Sequence, residues 1–249
     1  YFSVGVPMEW IKNYVKDQSY EPGNKKTDAM YTFLRDAKMT EKRKLTDFGQ
    51  FMLKRDFNDE KTWAILLCNL AYSPAFNWYI TNIPFDVDYT SETAALDLAD
   101  ASKHAIGEFW NAFKTILDSN SCLQLIGFGI PEIESKTTKM GDVKKKMLSL
   151  RRTAWMNPDS LTILYSLYKF AEACGGYYQF SLSTLLDDSI ERDGVSPTRI
   201  FGLGEDEMKR ILNGLSSNYP DFISASFTLD LDNITLRSEK TADDVLQLF

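Results

Sequence analysis

Apolar residues that recur every three or four positions, between short turn sequences, constrain the fold of this chain more than any other feature. The clearest stripe consists of Leu161, Leu164, Tyr168 and Ala171. It follows Asn157-Pro158, a capping residue with a proline at the first helical position, and it precedes Gly175-Gly176, a typical helix stop. The pattern predicts a buried helix between these signals. Similar stripes predict two helices earlier in the chain, at Trp63, Leu66, Leu67 and Leu70 and at Phe109, Phe113, Ile116 and Leu117.

Residues 1–58 follow the element order of a winged helix-turn-helix. Two helical stripes, separated by turn chemistry at Glu21-Pro22-Gly23-Asn24, consist of Met8, Ile11 and Val15 and of Met30, Phe33, Leu34 and Ala37. The polar run Thr40 to Lys44 predicts a hairpin, and Thr46 is a candidate N-cap for a helix that carries Phe48, Phe51 and Met52. Because the chain begins at Tyr1 rather than at a methionine, we expect this winged-helix-like unit to be truncated.

Residues 153–249 predict a second winged-helix-like unit. Ser181 and the pair Ser196-Pro197 are helix starts, and a further helical stripe consists of Met208, Ile211, Leu212 and Leu215. Alternating apolar residues then predict a hairpin, with Ile223, Ala225, Phe227 and Leu229 before the turn at 230–233 and Ile234 and Leu236 after it. Between the two units, residues 59–152 form a helical middle with a basic connecting segment, in which 127–141 is an irregular connection that can include a strand. We therefore predict a mainly α protein with small β-hairpins.

Charge and cysteine content exclude several classes of protein. The formal net charge is −7, and residues 153–249 hold 15 acidic and 7 basic residues, so that residues 1–152 carry about +1. A phosphate-facing surface is therefore expected only in the first part of the chain. Three scattered cysteines and a single histidine predict no zinc or iron–sulfur site. With no signal peptide and no membrane span in the sequence, we expect reduced thiols and a cytoplasmic protein without a membrane partner.

The basic connecting segment is the sequence feature that indicates a function most clearly. Together with two lysines at the start of the second N-terminal helix, it provides the candidate nucleic-acid-binding residues Lys25, Lys26, Lys139, Lys144, Lys145, Lys146, Arg151 and Arg152. Crowded lysines and arginines of this kind contact phosphates. They equally protect a solvated strand edge against pairing with other chains, and the sequence leaves both interpretations open.

The C-terminal unit offers candidate protein contacts rather than DNA contacts. The helix that would enter a DNA groove begins Glu205-Asp206-Glu207, and those carboxylates would face phosphates unfavourably. The candidate partner-contact residues are Tyr177, Tyr178, Lys209, Arg210 and Tyr219, although aromatic residues at such positions also belong to cores. The acidic pairs are explained as solvated faces, and His104 lacks a nucleophile in a strained turn beside it. We expect no catalytic residue, no metal site and no cofactor.

Three segments of the C-terminal half carry a family resemblance: Ile163 to Glu172, Gly194 to Leu203, and Leu215 to Ile223. Together with Phe33 to Ala37 and Leu45 to Gly49, they resemble the C-terminal region of large bacterial phosphoadenosine phosphosulfate (PAPS) reductase-like proteins. They are also similar to an uncharacterised domain family found beside DNA phosphorothioation genes. Enzymes of that superfamily hold a nucleotide with an S-G-G-x-D-S loop, which this sequence lacks. The resemblance therefore implies an accessory region, with the chemistry in an N-terminal enzymatic domain that would be its partner.

Three functions follow as hypotheses. The first is a non-catalytic accessory region of a PAPS reductase-like protein, acting through protein contacts and in part through nucleic-acid contacts. The second is a transcription-factor-like winged-helix protein that binds DNA, favoured if the basic segment and Lys25-Lys26 form one continuous face. The third is a metal-dependent enzyme that uses a pair of carboxylates.

Overall fold

The computed structural model describes residues 4–138, 141–228 and 231–249, and it confirms a mainly α protein with small β-sheets. The helices are α1 (Met8–Lys16), α2 (Lys25–Asp36), α3 (Asp47–Met52), α4 (Glu60–Leu70), α5 (Pro74–Asn82), α6 (Ser91–Asp97), α7 (Lys103–Ser119), α8 (Ser121–Leu125), α9 (Ser160–Ala173), α10 (Leu182–Leu186), α11 (Pro197–Phe201), α12 (Glu205–Asn218) and α13 (Ala242–Leu246). The strands are β1 (Thr40–Glu41), β2 (Lys44–Leu45), β3 (Asp88–Thr90), β4 (Ile130–Thr137), β5 (Val143–Arg151), β6 (Gln179–Phe180), β7 (Ile223–Thr228) and β8 (Leu231–Leu236).

Local capping signals placed several helices correctly. Thr46 caps α3, since its Oγ1 accepts a hydrogen bond of 2.9 Å from the N–H of Gly49. Ser181 caps α10 in the same way, and Ser196 with Pro197 begins α11. The predicted start of α9 at Asn157-Pro158 is wrong by two residues. Asp159 is the cap, because its carboxylate accepts a 2.9 Å bond from the N–H of Thr162.

The basic connecting segment is a long antiparallel hairpin, and its first strand, β4, is the strand that the sequence allowed within 127–141. Strands β4 and β5 pair from Ile130–Arg151 to Thr137–Val143, with a bulge between Glu132 and Ile133, and β3 adds to the other side of β5 opposite residues 149–151. Met147 and Leu150 are buried, whereas the three lysines before them are exposed. Because the exposed end of the hairpin has polar residues on both faces, it lacks the alternation by which strands are recognised.

The last part of the chain has the predicted helices α9, α10, α11 and α12 followed by the predicted hairpin, and it also contains the short strand β6 and helix α13. Strand β8 lies between β6 and β7, and both pairings are antiparallel. Leu229 and Asp230 lie outside the described residues, and residues 231–233, which were predicted as part of the turn, belong to strand β8. Helix α12 follows Gly204 and packs against β7 and α9 through a buried stripe of Met208, Ile211, Leu212 and Leu215.

One core runs through all three predicted units. Buried apolar side chains form a single cluster that extends from Val6 to Leu246. Helices α4 and α9, from the middle and from the C-terminal unit, pack against each other, and the Tyr165 hydroxyl donates a buried 3.0 Å hydrogen bond to Oδ1 of Asn69. The boundaries at 58 and 152 remain predictions, and both are crossed by core packing. Within the described ranges, no helix has both the length and the hydropathy needed to cross a bilayer.

The three cysteines are free thiols in different environments. Cys68 and Cys122 are buried, whereas Cys174 is half-buried. Burial raises the pKa of the Cys68 thiol to about 12, and it also raises the pKa of Cys122. Because the thiolate is the reactive form, Cys68 is chemically protected in the folded protein.

We predict that iodoacetamide at pH 8 modifies Cys174 of the folded protein well before Cys68. Peptide mass spectrometry after timed quenching measures the order of reaction. In 8 M urea, where the thiols regain a pKa of about 8.5, all three should react at similar rates. Equal rates at Cys68 and Cys174 in the folded protein would contradict the burial described above.

Candidate functional site

The exposed basic hairpin is fastened to helix α7 by three side chains. Trp110 Nε1 donates a 3.2 Å hydrogen bond to the carbonyl of Met147, and Lys114 Nζ donates one of the same length to the carbonyl of Lys145. Lys145 in turn forms a 2.8 Å ion pair with Asp118. These contacts occur where β5 extends beyond the short strand β3, so α7 supplies donors to carbonyls along that free stretch of strand.

The lysines of the hairpin divide between its two faces. Lys145 points towards α7, and the alternation of side chains along a strand places Lys144 and Lys146 on the opposite face. Both are exposed, and neither forms an ion pair with another described residue. On the facing strand Lys136 is paired with Glu134 at 3.2 Å. The predicted basic cluster therefore retains two unpaired charges on this face.

Arg151, the last residue of β5, is exposed and paired. Its Nε lies 2.8 Å from Oδ1 of Asp88 on strand β3, and this hydrogen bond lowers the pKa of the Asp88 carboxyl. The charge of Arg151 is thus balanced by a neighbour across the sheet. Exposed pairs of this kind contribute at most about 1 kcal/mol to stability.

Arg152 is wrong as a candidate nucleic-acid contact, because its side chain is buried. The guanidinium donates four hydrogen bonds of 2.8–3.0 Å to the carbonyls of Ile80, Ile83, Arg199 and Ile200. The ring of Phe85 stacks 4.0 Å from Cζ, and of the three guanidinium nitrogens Nε alone has no hydrogen-bond partner among the described residues. Burial lowers the pKa of Arg152 to about 10. The residue joins the ends of α5 and α11 and cannot reach a phosphate.

Lys25 and Lys26 begin α2 and are exposed, as predicted from their position in the sequence. The Nζ of Lys26 lies 5.9 Å from the centre of the Trp10 ring. Trp10 and Lys26, but not Lys25, line a surface cleft of about 320 Å³, together with Val4, Gly5, Pro7 and the α7 residues Asn111, Ala112 and Thr115. This cleft could not be predicted from the sequence, because residues that are far apart in the chain form it.

Helix α7 lies between the two basic patches. Asn111 and Thr115 face the cleft beside Lys26, and Lys114 and Asp118 contact the hairpin. These four residues follow the i, i+3, i+4, i+7 spacing of one helix face. One polar side of α7 therefore connects the patch at Lys25 and Lys26 to the hairpin. Lys139 lies outside the described residues.

The candidate partner-contact residues do not share one environment. Tyr177 is 64% exposed, whereas Tyr178 is half-buried beside the ring of Tyr168. On α12, Lys209 pairs with Glu205 at 2.7 Å, and Arg210 Nε donates a 2.8 Å bond to Glu207. Tyr219 is partly buried where α12 ends. Local ion pairs thus neutralise much of the charge at the start of this helix.

Two further features involve residues outside both basic patches. His104 is exposed and lies 3.5 Å from Glu108, one helical turn away, and the described residues include no cluster of three or more His, Cys, Asp or Glu side chains able to hold a metal ion.

A second and larger cavity, of about 460 Å³, lies between α2, α5 and α7 and is lined mainly by Trp78, Phe109, Leu98 and Pro74. The partly exposed Arg35–Asp36 pair lies at its polar side.

In comparisons with family models, curated proteins and solved structures, nothing matches this chain. The resemblance to PAPS reductase-like proteins therefore rests on the sequence motifs alone.

The buried guanidinium gives a prediction about stability. Replacing Arg152 with Lys leaves several buried carbonyls without donors, and we expect the free energy of unfolding to fall by about 3 kcal/mol. Urea unfolding followed by circular dichroism measures the loss. The neighbouring Arg151→Lys change is the control and should cost less than about 1 kcal/mol. Equal effects at the two positions would show that the carbonyl contacts do not stabilise the fold.

Proposed function

We propose that this chain is a non-catalytic accessory region of a PAPS reductase-like protein, and that it contacts the phosphates of nucleic acid through the β4–β5 hairpin. The observation that carries the proposal is the combination of a firmly attached hairpin with unpaired lysines. Trp110 and Lys114 fix the hairpin to α7, and Lys144 and Lys146 extend from its outer face. Fixed cations contact phosphates with a smaller loss of conformational entropy than cations on a mobile loop.

The number of free cations limits the strength of this contact. Four exposed lysines without a described ion pair, Lys25, Lys26, Lys144 and Lys146, belong to the two patches. If all four displaced counterions, log K would fall with log salt at a slope of about −3 to −4. A contact limited to about four phosphates, on a protein of net charge −7, suits an accessory region better than a stand-alone DNA-binding protein.

The C-terminal unit supports a second function, contact with a protein. Its order of helices and its sheet, with β8 between β6 and β7, support a winged-helix arrangement. The helix that would enter a DNA groove has Glu205, Asp206 and Glu207 in its first turn. Negative charge there is favoured by the helix dipole and repelled by phosphates. We infer that this unit contacts a protein, with the enzymatic domain implied by the resemblance as the first candidate.

Charge reversal on the hairpin tests the phosphate contact. We predict that the double change Lys144→Glu and Lys146→Glu weakens binding of a fluorescent oligonucleotide at least tenfold in 50 mM salt, because two attractive charges become repulsive. Fluorescence anisotropy measures the affinity. The slope of log K against log salt should become about 1.5 to 2 units less steep.

A matched variant controls for the change in net charge. Lys42→Glu with Lys54→Glu reverses two exposed lysines that lie outside both patches, and we expect it to reduce affinity much less. Equal losses in the two double variants would show that net charge, not the hairpin, governs binding. Absence of oligonucleotide binding by the unmodified chain at low salt would overturn the phosphate contact and leave protein contact as the function.

A further inference from the structure

The cleft beside Lys26 combines the groups that bind an unpaired nucleotide. We propose that it holds one base of a single-stranded nucleic acid, with Trp10 as the stacking surface. This inference rests on the proposed phosphate contact and names its substrate class as single-stranded rather than duplex nucleic acid. The cleft and its residues are distinct from the hairpin lysines that carry the earlier proposal.

Each of three cleft residues matches a different part of a nucleotide. The half-buried Trp10 side chain lines the cleft with Lys26 Nζ over its ring, and aromatic rings are surfaces on which bases stack without regard to their identity. Lys26 lies at the same ring and carries no ion pair with a described residue, so it can meet the phosphate beside a stacked base. The side-chain amide of the exposed Asn111 has both a donor and an acceptor that can pair with a base edge.

The surroundings of the cleft supply a path for the rest of the strand. From Asn111 to Asp118 the polar side of α7 rises by about 10 Å, and it ends at the lysines of the hairpin. The only acidic residue in this stretch is Asp118, which Lys145 neutralises at 2.8 Å. A strand whose base enters the cleft can therefore continue along α7 without meeting an unpaired carboxylate of this helix segment.

The shape of the cleft favours single strands. A base reaches a stacking surface with its face only when it is unpaired and unstacked, because neighbouring base pairs cover both faces in a duplex. With a volume of about 320 Å³ the cleft has room for one base and not for a double helix. A duplex could still touch Lys25 and Lys26 from outside, through its phosphates alone.

The experiment compares a fluorescent 15-nucleotide thymidine strand with a duplex of the same length, at equal salt. We expect the unmodified chain to bind the single strand more tightly, and we expect Trp10→Ala to weaken that binding about tenfold while leaving duplex binding within about twofold. Trp10→Phe retains an aromatic face and should restore most of the affinity. Trp78→Ala, which removes a half-buried tryptophan from the other cavity, should change neither affinity.

The outcomes separate the two proposals. If the unmodified chain binds neither oligonucleotide, the phosphate contact fails and this inference fails with it. If both bind equally and Trp10→Ala weakens neither, the base site is wrong and the phosphate contact stands. If Trp10→Ala lowers both affinities together with the thermal unfolding midpoint, Trp10 is a packing residue and the base site is again wrong. An acidic peptide serves as a third probe. Binding of this peptide, without binding of the single strand, would reassign the cleft to a protein partner.

Discussion

The buried guanidinium of Arg152 holds together parts of the chain that are far apart in sequence. It donates to carbonyls at the ends of α5 and α11, the places where helix dipoles concentrate negative charge. Its own carbonyl accepts from the N–H of Asp86, and Phe85 covers its outer side. A buried cation without a carboxylate partner is costly, and only donation to several carbonyls at once offsets that cost.

The hydrogen bonds of Arg152 help to position the candidate surface, which consists of the basic hairpin, the polar side of α7 and the Trp10 cleft. Arg152 directly follows β5, so fixing it against α5 and α11 anchors one end of the sheet that carries the basic hairpin. Trp110 and Lys114 attach the middle of the same strand to α7, which in turn forms one wall of the Trp10 cleft. The hairpin, the polar side of α7 and the cleft are thus parts of one connected body. Weakening of the Arg152 hydrogen bonds would first affect the base of the hairpin.

The parts of the fold that were predictable are those governed by local chemistry. Thr46, Ser181 and Ser196 cap helices through their own side chains, and the preference of Ser and Thr for the N-cap position can be recognised from a few consecutive residues. Arg151 and Arg152 look alike in the sequence, yet consecutive residues at a strand end point to opposite sides, so one is paired on the surface and the other is buried. The cleft could not be predicted, because Trp10, Lys26 and Asn111 meet only through the packing of α1, α2 and α7.

The separation of charge along the chain affects how a charged ligand would approach this protein. Lys25, Lys26, Lys144 and Lys146 are exposed without an ion pair to a described residue, whereas residues 153–249 hold 15 acidic and 7 basic residues. A polyanion is attracted by unpaired lysines and repelled by an excess of carboxylates. Such a field would orient the proposed nucleic-acid ligand before contact, and salt screens it beyond a Debye length of about 10 Å at 0.1 M. Overall negative charge is therefore compatible with the proposed phosphate contact at the hairpin, since repulsion by the acidic C-terminal unit would leave that unit to the proposed protein partner.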